Sequence, residues 1–350
     1  YLPARSSNPA LSHVRLEERP GFIVLSGGDV DKDLEIVLPF ADDTGSGFAD
    51  AAGESVYALP GDIFTRICAA CPNDLTVLRF GSDLGVASGA FEAEVHPGRL
   101  EHFAPPRLAD EYDLTLPAEA LQQAIERVRY AVATDGNHAV FYDVHFELHE
   151  KRFRAVATGG LRLAYQDAES DHEATGKLLL RAKVADTLRL LLKHGEGDVE
   201  LKTDGARLYV RRGRYRASYA LSEGNFPDYS RVIPTLFPVT AVLDAGALRE
   251  ALERLAVSVD GGANNRVDLS FGKALTLTAE NAVSRSTETL ELKDKSGPDL
   301  SLSYNLKFLR NALTVLAGDV TFALSGATTP SVLTAGETSG HLAVIVPLRV

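Results

Sequence analysis

Apolar residues recur at helical spacing in two segments of the chain that match each other position by position. Residues 120–128 read Ala-Leu-Gln-Gln-Ala-Ile-Glu-Arg-Val, and residues 247–255 read Ala-Leu-Arg-Glu-Ala-Leu-Glu-Arg-Leu. In both segments the apolar positions fall on one face of a helix. These positions are Leu121, Ala124, Ile125 and Val128 in the first segment, and Leu248, Ala251, Leu252 and Leu255 in the second. We therefore predict two equivalent amphipathic helices, each preceded by a short strand at 112–116 or 239–243.

The residues after each helix alternate between apolar and polar side chains, which is typical of strands. After the first helix this pattern predicts strands within 138–148 and 152–165. After the second it predicts strands at 265–271, 274–279 and 284–292. A similar meander is predicted near the start of the chain, at 11–16, 22–26 and 33–38.

A second half-unit, a helix followed by strands, recurs three times. Its predicted helices are 60–70, 182–194 and 306–316, and strands follow at 75–80, 199–201 and 320–324. The chain thus predicts three copies of one α+β unit, with helices on one face of antiparallel sheets. The first copy lacks its opening strand and helix, which we expect to reflect a shortened chain. The predicted domains are 1–105, 110–232 and 238–350, with proline-bearing linkers at 101–110 and 233–238.

Composition narrows the functional classes. The chain has 45% apolar and 24% charged residues, no apolar run long enough to span a bilayer and no leader-like start, so we expect a soluble, cytoplasmic protein. Two cysteines, Cys68 and Cys71, are too few for the disulfide framework of a secreted scaffold. The net charge of −12 argues against a protein that coats DNA with its whole surface, but it leaves room for one basic face.

Four separated blocks carry a resemblance to a known family. They are residues 3–9 (Pro-Ala-Arg-Ser-Ser-Asn-Pro), 153–164, 223–234 (Glu-Gly-Asn-Phe-Pro-Asp-Tyr-Ser-Arg-Val-Ile-Pro) and the tail 344–350. Together they resemble the bacterial DNA polymerase III beta sliding clamps. The resemblance implies a head-to-tail homodimer that closes into a ring around duplex DNA, with three domains per protomer and helices lining the hole. It also implies a processivity factor for DNA replication, with no catalytic site and no cofactor.

The resemblance further implies a hydrophobic pocket that receives short linear peptides from the replicative polymerase, the clamp loader and repair proteins. Its walls map onto Thr158, Gly160, Arg162, Leu163, Pro227, Arg231, Val232, Phe308, Val344, Ile345, Val346, Pro347, Leu348, Arg349 and Val350. Arg162, Arg231 and Arg349 are expected to frame the pocket. The alternative is that these residues form ordinary core between domains.

Three positions depart from the family pattern. Gly159 stands where Asp is common, Leu161 where an aromatic residue or His is common, and Leu348 where Met is frequent. We expect Gly159 to loosen a turn and Leu161 to change the preferred peptide.

Basic residues on the predicted helices are candidates for facing DNA. In the helix 182–194, Arg189 and Lys193 emerge together, opposite an apolar stripe of Val184, Leu188, Leu191 and Leu192. Long, mobile cations would attract phosphates without reading bases, as sliding requires. The full set is Arg127, Arg181, Lys183, Arg189, Lys193 and Arg254. Solvated helix faces carry such residues in any case, so the pattern alone leaves both interpretations open.

Three other motifs suggest different chemistry and fail on inspection. Cys68 and Cys71 have redox spacing but lie late in their predicted helix, where no helix N-terminus lowers a thiol pKa. His145 and His149 superficially resemble a metalloprotease motif, but their segment predicts a strand, which sets them about 13 Å apart. The segment 29–33 begins like a calcium loop, yet Leu34 occupies the required glycine position.

Two alternatives to a sliding clamp remain. One is a repeat α+β enzyme with an unrecognised site, which a convergent polar constellation in a cleft would support. The other is a protein-interaction scaffold of repeated domains that never closes into a ring, which would be a monomer in solution.

Overall fold

The computed structural model describes residues 12–39, 55–72, 76–100, 103, 105–136, 138–259 and 265–349. The block 3–9, residues 11 and 75 of two predicted strands, residues 101, 102 and 104 of a predicted linker, and Val350 lie outside these residues. The chain divides into two compact units, one drawn from 1–119 and 187–221, the other from 120–186 and 222–350. Within the described ranges, no helix is long and apolar enough to cross a membrane.

The first unit contains an eight-stranded and a three-stranded antiparallel sheet. Its strands are β1 (His13–Arg19), β2 (Phe22–Gly28), β3 (Lys32–Pro39), β4 (Val56–Pro60), β5 (Val77–Phe80), β6 (Leu84–Ser88), β7 (Phe91–Val95), β8 (Leu114–Leu116), β13 (Val199–Thr203), β14 (Arg207–Arg212) and β15 (Tyr215–Ala220). The larger sheet has the order β4-β1-β2-β3-β15-β14-β13-β8, and the smaller one β5-β6-β7.

The second unit contains a nine-stranded and a four-stranded sheet. Its strands are β9 (Asp143–His149), β10 (Arg152–Thr158), β11 (Arg162–Glu169), β12 (Gly176–Arg181), β16 (Val239–Asp244), β17 (Arg266–Phe271), β18 (Ala274–Glu280), β19 (Arg285–Glu291), β20 (Asp294–Ser296), β21 (Leu300–Asn305), β22 (Asp319–Leu324), β23 (Ser331–Ala335) and β24 (His341–Ile345). The larger sheet has the order β12-β9-β10-β11-β24-β23-β22-β16-β20, and the smaller one β19-β18-β17-β21.

The described residues contain five α-helices. They are α1 (Gly61–Ala70), α2 (Ala118–Arg129), α3 (Ala182–His194), α4 (Ala245–Leu255) and α5 (Leu306–Leu313). The apolar positions predicted for α2, α3 and α4 are all buried, which confirms their amphipathic character. The α+β class with antiparallel sheets is likewise confirmed.

Several predicted elements have other bounds in the structure, and two of these differences have a clear local cause. The helix predicted at 306–316 ends at Leu313, after which the Val315 amide bonds to the Ala312 carbonyl and tightens the last turn. The strand predicted from residue 138 begins only at Asp143, because Ala139–Tyr142 form a short 3-10 turn. Further 3-10 turns cover Tyr229–Val232 and Ala256–Ser258.

The core of the second unit has two layers on opposite sides of β24. Ala343 and Ile345 belong to a large cluster formed by α4, α5 and the strands around them. Val344, between them, belongs to a smaller cluster with Leu163, Val156 and Val332. Strand alternation alone produces this division, since successive side chains leave a strand on opposite faces.

Candidate functional site: an apolar patch at the ends of β11 and β24

The predicted pocket residues gather where β11 and β24 pair. In this antiparallel ladder Arg162 lies opposite Ile345, and Leu163 lies opposite Val344. Leu163 and Val344 form one apolar cluster, whereas Ile345 belongs to the helix-bearing core on the other face. The predicted set therefore serves both faces of the sheet, not one pocket wall.

The face carrying Leu163 and Val344 is covered in part by residues 223–237, which form no strand and which we call the covering segment. Leu163 is 3% and Val344 2% exposed, and four side chains of the segment pack against their cluster. These side chains are Phe226, Tyr229, Ile233 and Phe237. The segment also carries the predicted residues Pro227, Arg231 and Val232, which are exposed.

Beyond this floor, apolar side chains reach the surface. The Val346 amide donates to the Leu161 carbonyl at 3.0 Å, so the pairing continues past the end of the ladder. Leu161 is 54% and Val232 51% exposed, so two large apolar side chains reach solvent beside residues that pack in the core. We call the set Leu161, Leu163, Val232, Val344 and Val346 the strand-end patch.

The turn between β10 and β11 is fixed by its own hydrogen bonds. The Thr158 hydroxyl donates to the Arg162 carbonyl at 2.8 Å and accepts from the Gly160 amide at 3.1 Å. Gly160 has a φ of +87°, a conformation that favours glycine. At Gly159 an added Cβ would come within 3.2 Å of the Ala131 carbonyl. Glycine thus lets this turn pack closely rather than loosening it.

Arg162 is buried and contacts other parts of the second unit, so it is not part of an exposed rim. Its side chain lies with the guanidinium carbon 4.7 Å from the centre of the Phe308 ring, and one nitrogen donates to the Val132 carbonyl at 3.0 Å. Burial lowers the pKa of Arg162. Of the three arginines expected to frame the pocket, Arg231 and Arg349 are the exposed ones, and Arg231 pairs with Asp228 at 2.8 Å.

The C-terminal residues 346–349, the tail, attach the end of β24 to the neighbouring sheet. Pro347 is buried, and the Leu348 amide donates to the Ser303 carbonyl of β21 at 2.7 Å. Phe308 of α5 is partly buried against the larger core. The tail therefore stabilises the second unit as well as shaping the patch.

The sequence interpretation missed a contributor to this region, the 3-10 turn Ala139–Tyr142. An added Cβ on Gly224 would lie 2.9 Å from a Val140 methyl, and one on Gly160 would lie 3.6 Å from the Phe141 ring. The turn thus touches both the covering segment and the β10–β11 turn. Its four consecutive apolar or aromatic residues break strand alternation, and that was the available signal.

The candidate DNA-facing residues differ in how their charges are used. Arg181 pairs with Asp143 at 3.2 Å, and the Arg254 Nε atom lies 3.1 Å from Glu288. Arg127 donates to the Gln166 side chain at 3.1 Å, and Arg189 is half-buried. Lys183 and Lys193 are exposed, and neither has an ion pair with any residue that the structure describes. These two lysines are the strongest of the six candidates.

The three motifs that suggested other chemistry lie at the end of α1, on β9 and at the start of β3. Cys68 and Cys71 are free thiols at the end of α1, and burial raises the pKa of Cys68, which disfavours the reactive thiolate. His145 and His149 both approach Glu147, at 3.2 and 3.6 Å. Asp33 accepts from Arg107 and Arg207 at 2.8 and 3.1 Å. No group of three potential metal ligands occurs among the described residues.

These features define a repeat α+β protein with an exposed apolar patch at the junction of two neighbouring strands. Residues 115–228 match the family model for the central domain of the DNA polymerase III beta subunit, and residues 230–349 match that for its C-terminal domain. The two matches adjoin and together cover most of the chain.

Known proteins that align with nearly the whole chain agree with these family matches. The beta sliding clamp of Staphylococcus epidermidis strain RP62A is 22% identical, over 99% of this chain and 94% of the relative. The DNA polymerase III beta subunit of Thermotoga maritima has a similar fold, with a TM-score of 0.89, 23% identity and coverage of 100% of this chain and 94% of that one. A sliding clamp of Pseudomonas aeruginosa bound to griselimycin gives a TM-score of 0.88 at 22% identity, with the same coverage. The chain belongs to the bacterial DNA polymerase III beta subunit family, the beta sliding clamps.

Proposed function

We propose that this protein is a cytoplasmic processivity clamp: a homodimeric ring of three domains per protomer that encircles duplex DNA and tethers DNA-handling proteins to it. It has no catalytic site of its own. The observation that carries the proposal is the strand-end patch, which combines the exposed Leu161 and Val232 with the buried Leu163 and Val344, within the part of the chain that matches the two clamp domains. The proposed domains are 1–105, 110–232 and 238–350.

The patch suits a short linear peptide with apolar side chains. Leu161 and Val232 would be an aggregation liability if nothing covered them. The buried Leu163 and Val344 supply a rigid floor, because both sit in a paired ladder. Arg231 and Arg349 are exposed, and they lie close in sequence to Val232 and Val346 of the patch. They supply positive charge for backbone carbonyls or carboxylates of the peptide. Polymerase, clamp loader and repair proteins would compete for this one surface.

Dimerisation is supported by unpaired strand edges. Among the described residues, β5 and β19 are outermost strands of the two smaller sheets. Exposed edges invite pairing with another chain, and two different edges that pair head to tail close into a ring. Val257 is 77% and Val283 92% exposed. Both lie close to β19, because the hydroxyl of Ser258, next to Val257, is 2.5 Å from that of Ser286 in β19, and Val283 is two residues before the strand begins.

DNA contact is assigned to the helices. Lys183 and Lys193 of α3 are the exposed cations best suited to attract phosphates without reading sequence. A total charge of −12 favours a transient contact of this kind over tight binding of the whole surface. Retention on DNA would come from topology.

Primer extension tests this function. A singly primed circular template is copied by the replicative polymerase and the clamp loader, with and without this protein. We expect products of full length only when the protein and loader are both present. Lys183→Glu with Lys193→Glu should reduce loading several-fold, whereas Lys273→Glu, an exposed lysine of the β17–β18 turn, should not. Product length independent of the protein would refute the proposal.

A further inference from the structure

One tyrosine hydroxyl of the covering segment is hydrogen-bonded to two strands of the sheet. Tyr229 donates to a Glu147 carboxylate oxygen at 2.7 Å and accepts from the Arg154 guanidinium at 3.2 Å. Glu147 lies on β9 and Arg154 on β10, so the hydroxyl bridges two adjacent strands. Glu147 is only 7% exposed, and a buried carboxylate needs such partners.

Both partners are fixed independently of the segment. Arg154 forms two hydrogen bonds to Asp167 of β11, at 2.6 and 2.7 Å, and its guanidinium lies 4.1 Å from the centre of the Tyr165 ring. Glu147 is also within 3.2 Å of His145 and 3.4 Å of Lys177. The anchor is thus a preformed feature of the sheet.

The charge states suit this arrangement. Burial alone would raise the pKa of Glu147, but the Tyr229 hydroxyl, His145 and Lys177 hold that pKa below its ordinary value. Burial and the bond to Glu147 raise the pKa of Tyr229 to about 12, despite the opposing effect of Arg154. At neutral pH an ionised acceptor therefore faces a protonated donor, a charge-assisted hydrogen bond.

Side chains, rather than backbone pairing, fix this segment. Phe226 stacks on His145 with ring centres 4.7 Å apart and an angle of 9°. The Ser222 amide bonds to the Leu179 carbonyl, but over the described residues no backbone hydrogen bond ties 223–233 to a strand. The side chains of Pro227 and Val232 have no aromatic ring or hydroxyl with which to make such contacts. Their positions therefore depend on the neighbouring side chains that do contact the sheet, Phe226 and Tyr229.

We propose that Tyr229 is a positioning residue of the strand-end patch: its hydroxyl, held between Glu147 and Arg154, presets the segment 226–232 as a peptide-receiving wall before a peptide arrives. This inference rests on the proposed function. Without the hydroxyl the segment samples other positions, and the apparent Kd rises as the competent fraction falls.

Tyr229→Phe is the test, because it keeps the ring that packs on the smaller core and removes one oxygen atom. The probe is a labelled peptide of about six residues containing Leu and Phe, selected from a library for binding to the wild-type protein. We expect its Kd to rise about tenfold to a hundredfold, the range for losing a hydrogen bond to a charged group. Amide exchange across 226–232 should accelerate in the free variant and return to the wild-type rate at saturating peptide.

Matched variants separate positioning from general damage. Tyr209→Phe also removes a tyrosine-to-carboxylate bond, to Asp204 at 2.8 Å, but in the other compact unit, and it should leave the Kd unchanged. Glu147→Gln keeps an acceptor for the hydroxyl and should bind better than Glu147→Ala. Equal Kd values for wild type and Tyr229→Phe, or equal losses in Tyr229→Phe and Tyr209→Phe, would overturn the inference.

Failure of the proposed function would look different. If the Leu161→Asp and Val232→Asp variants both bind every library peptide with the Kd of the wild type, the patch is not the peptide site. If those two changes abolish binding while Tyr229→Phe does not weaken it, the patch stands and only the positioning role falls.

Discussion

Arg162 and Leu163 are neighbours in sequence yet serve opposite faces of β11. The resemblance placed both in one pocket, because a family motif identifies positions and not the direction of their side chains. Strand alternation over 162–165 separates them, because successive side chains leave a strand on opposite faces. The buried contact of Arg162 with Phe308, in contrast, joins residues far apart in sequence and no local pattern predicts it.

The two leucines of this turn should separate stability from binding. Leu163→Ala removes a side chain that is 3% exposed and should lower the free energy of unfolding by about 3 kcal/mol. Leu161→Ala, at 54% exposure, should change it by less than about 0.5 kcal/mol but weaken peptide binding. Urea unfolding and peptide titration of both variants check this. A large stability loss in Leu161→Ala would contradict an exposed patch.

His341 should make stability depend on pH. Burial, reinforced by Arg127, lowers its pKa to about 4 from 6.5, so the folded protein holds it neutral. Between these values the unfolded chain binds more protons, and stability therefore falls as pH falls below about 6.5. From pH 7 to 5 the contribution of this residue is a loss of about 2 kcal/mol.

Urea unfolding at both pH values measures this effect. His341→Phe should show a smaller loss between pH 7 and 5 than the wild type, by about that amount. The variant His194→Phe, at an exposed position, should behave like the wild type. Identical pH dependence in His341→Phe and the wild type would contradict a buried, neutral His341.

At the scale of elements, helices with a strong apolar stripe were predictable, but their ends were predicted correctly in some cases and wrongly in others. The helix at 182–194 was predicted with its observed bounds, whereas the one predicted to 316 stops at Leu313. Periodicity reports the buried face, but the last turn is decided by which carbonyls find partners. The strand predicted from residue 138 is wrong over Ala139–Tyr142, where four consecutive apolar or aromatic residues replace the alternation of residues 143–148.

The start of α4 offers a direct test of local stabilisation. The Asp244 carboxylate accepts from the Ala247 amide at 2.7 Å and caps the helix. Asp244→Ala should therefore lower the free energy of unfolding by about 1 kcal/mol. Asp244→Asn keeps an acceptor and should recover most of this loss. Equal effects of the two changes in thermal or urea unfolding would show that the cap does not contribute.

The tail is an element with two roles. Removing 346–350 should abolish peptide binding because Val346 belongs to the patch, and it should leave dimerisation intact. The buried Pro347 and the bond from Leu348 to Ser303 mean that truncation also destabilises the second unit. Titration with the library peptide and sedimentation of the same sample separate the effects. Parallel loss of peptide binding and dimer would sink the site assignment.

For the whole molecule, the sequence repeat predicts the α+β class but not how its copies share sheets. The pairing of β3 with β15 joins strands from the first and second predicted copies, and the pairing of β11 with β24 joins the second and third. Such pairings lie about 180 residues apart in sequence. Local alternation identifies each strand but carries no information about its distant neighbour.

Dimer assembly should depend on the exposed apolar residues near β19. Val257→Asp should weaken the dimer at least tenfold and leave the unfolding free energy within about 0.5 kcal/mol of the wild type, since the side chain is 77% exposed. Val30→Asp, at a position 71% exposed in the β2–β3 turn, is the control. Sedimentation over a range of concentrations measures both. An unaltered dimer in Val257→Asp would move the interface elsewhere.

The most direct test of a DNA-encircling clamp compares retention on circular and linearised DNA after loading by a compatible clamp loader. Topological linkage predicts that the protein stays on closed circles and leaves quickly once a single cut supplies ends. It also predicts that blocking the ends restores retention. Equal loss from circles and linear molecules would contradict the account and favour the scaffold that never closes.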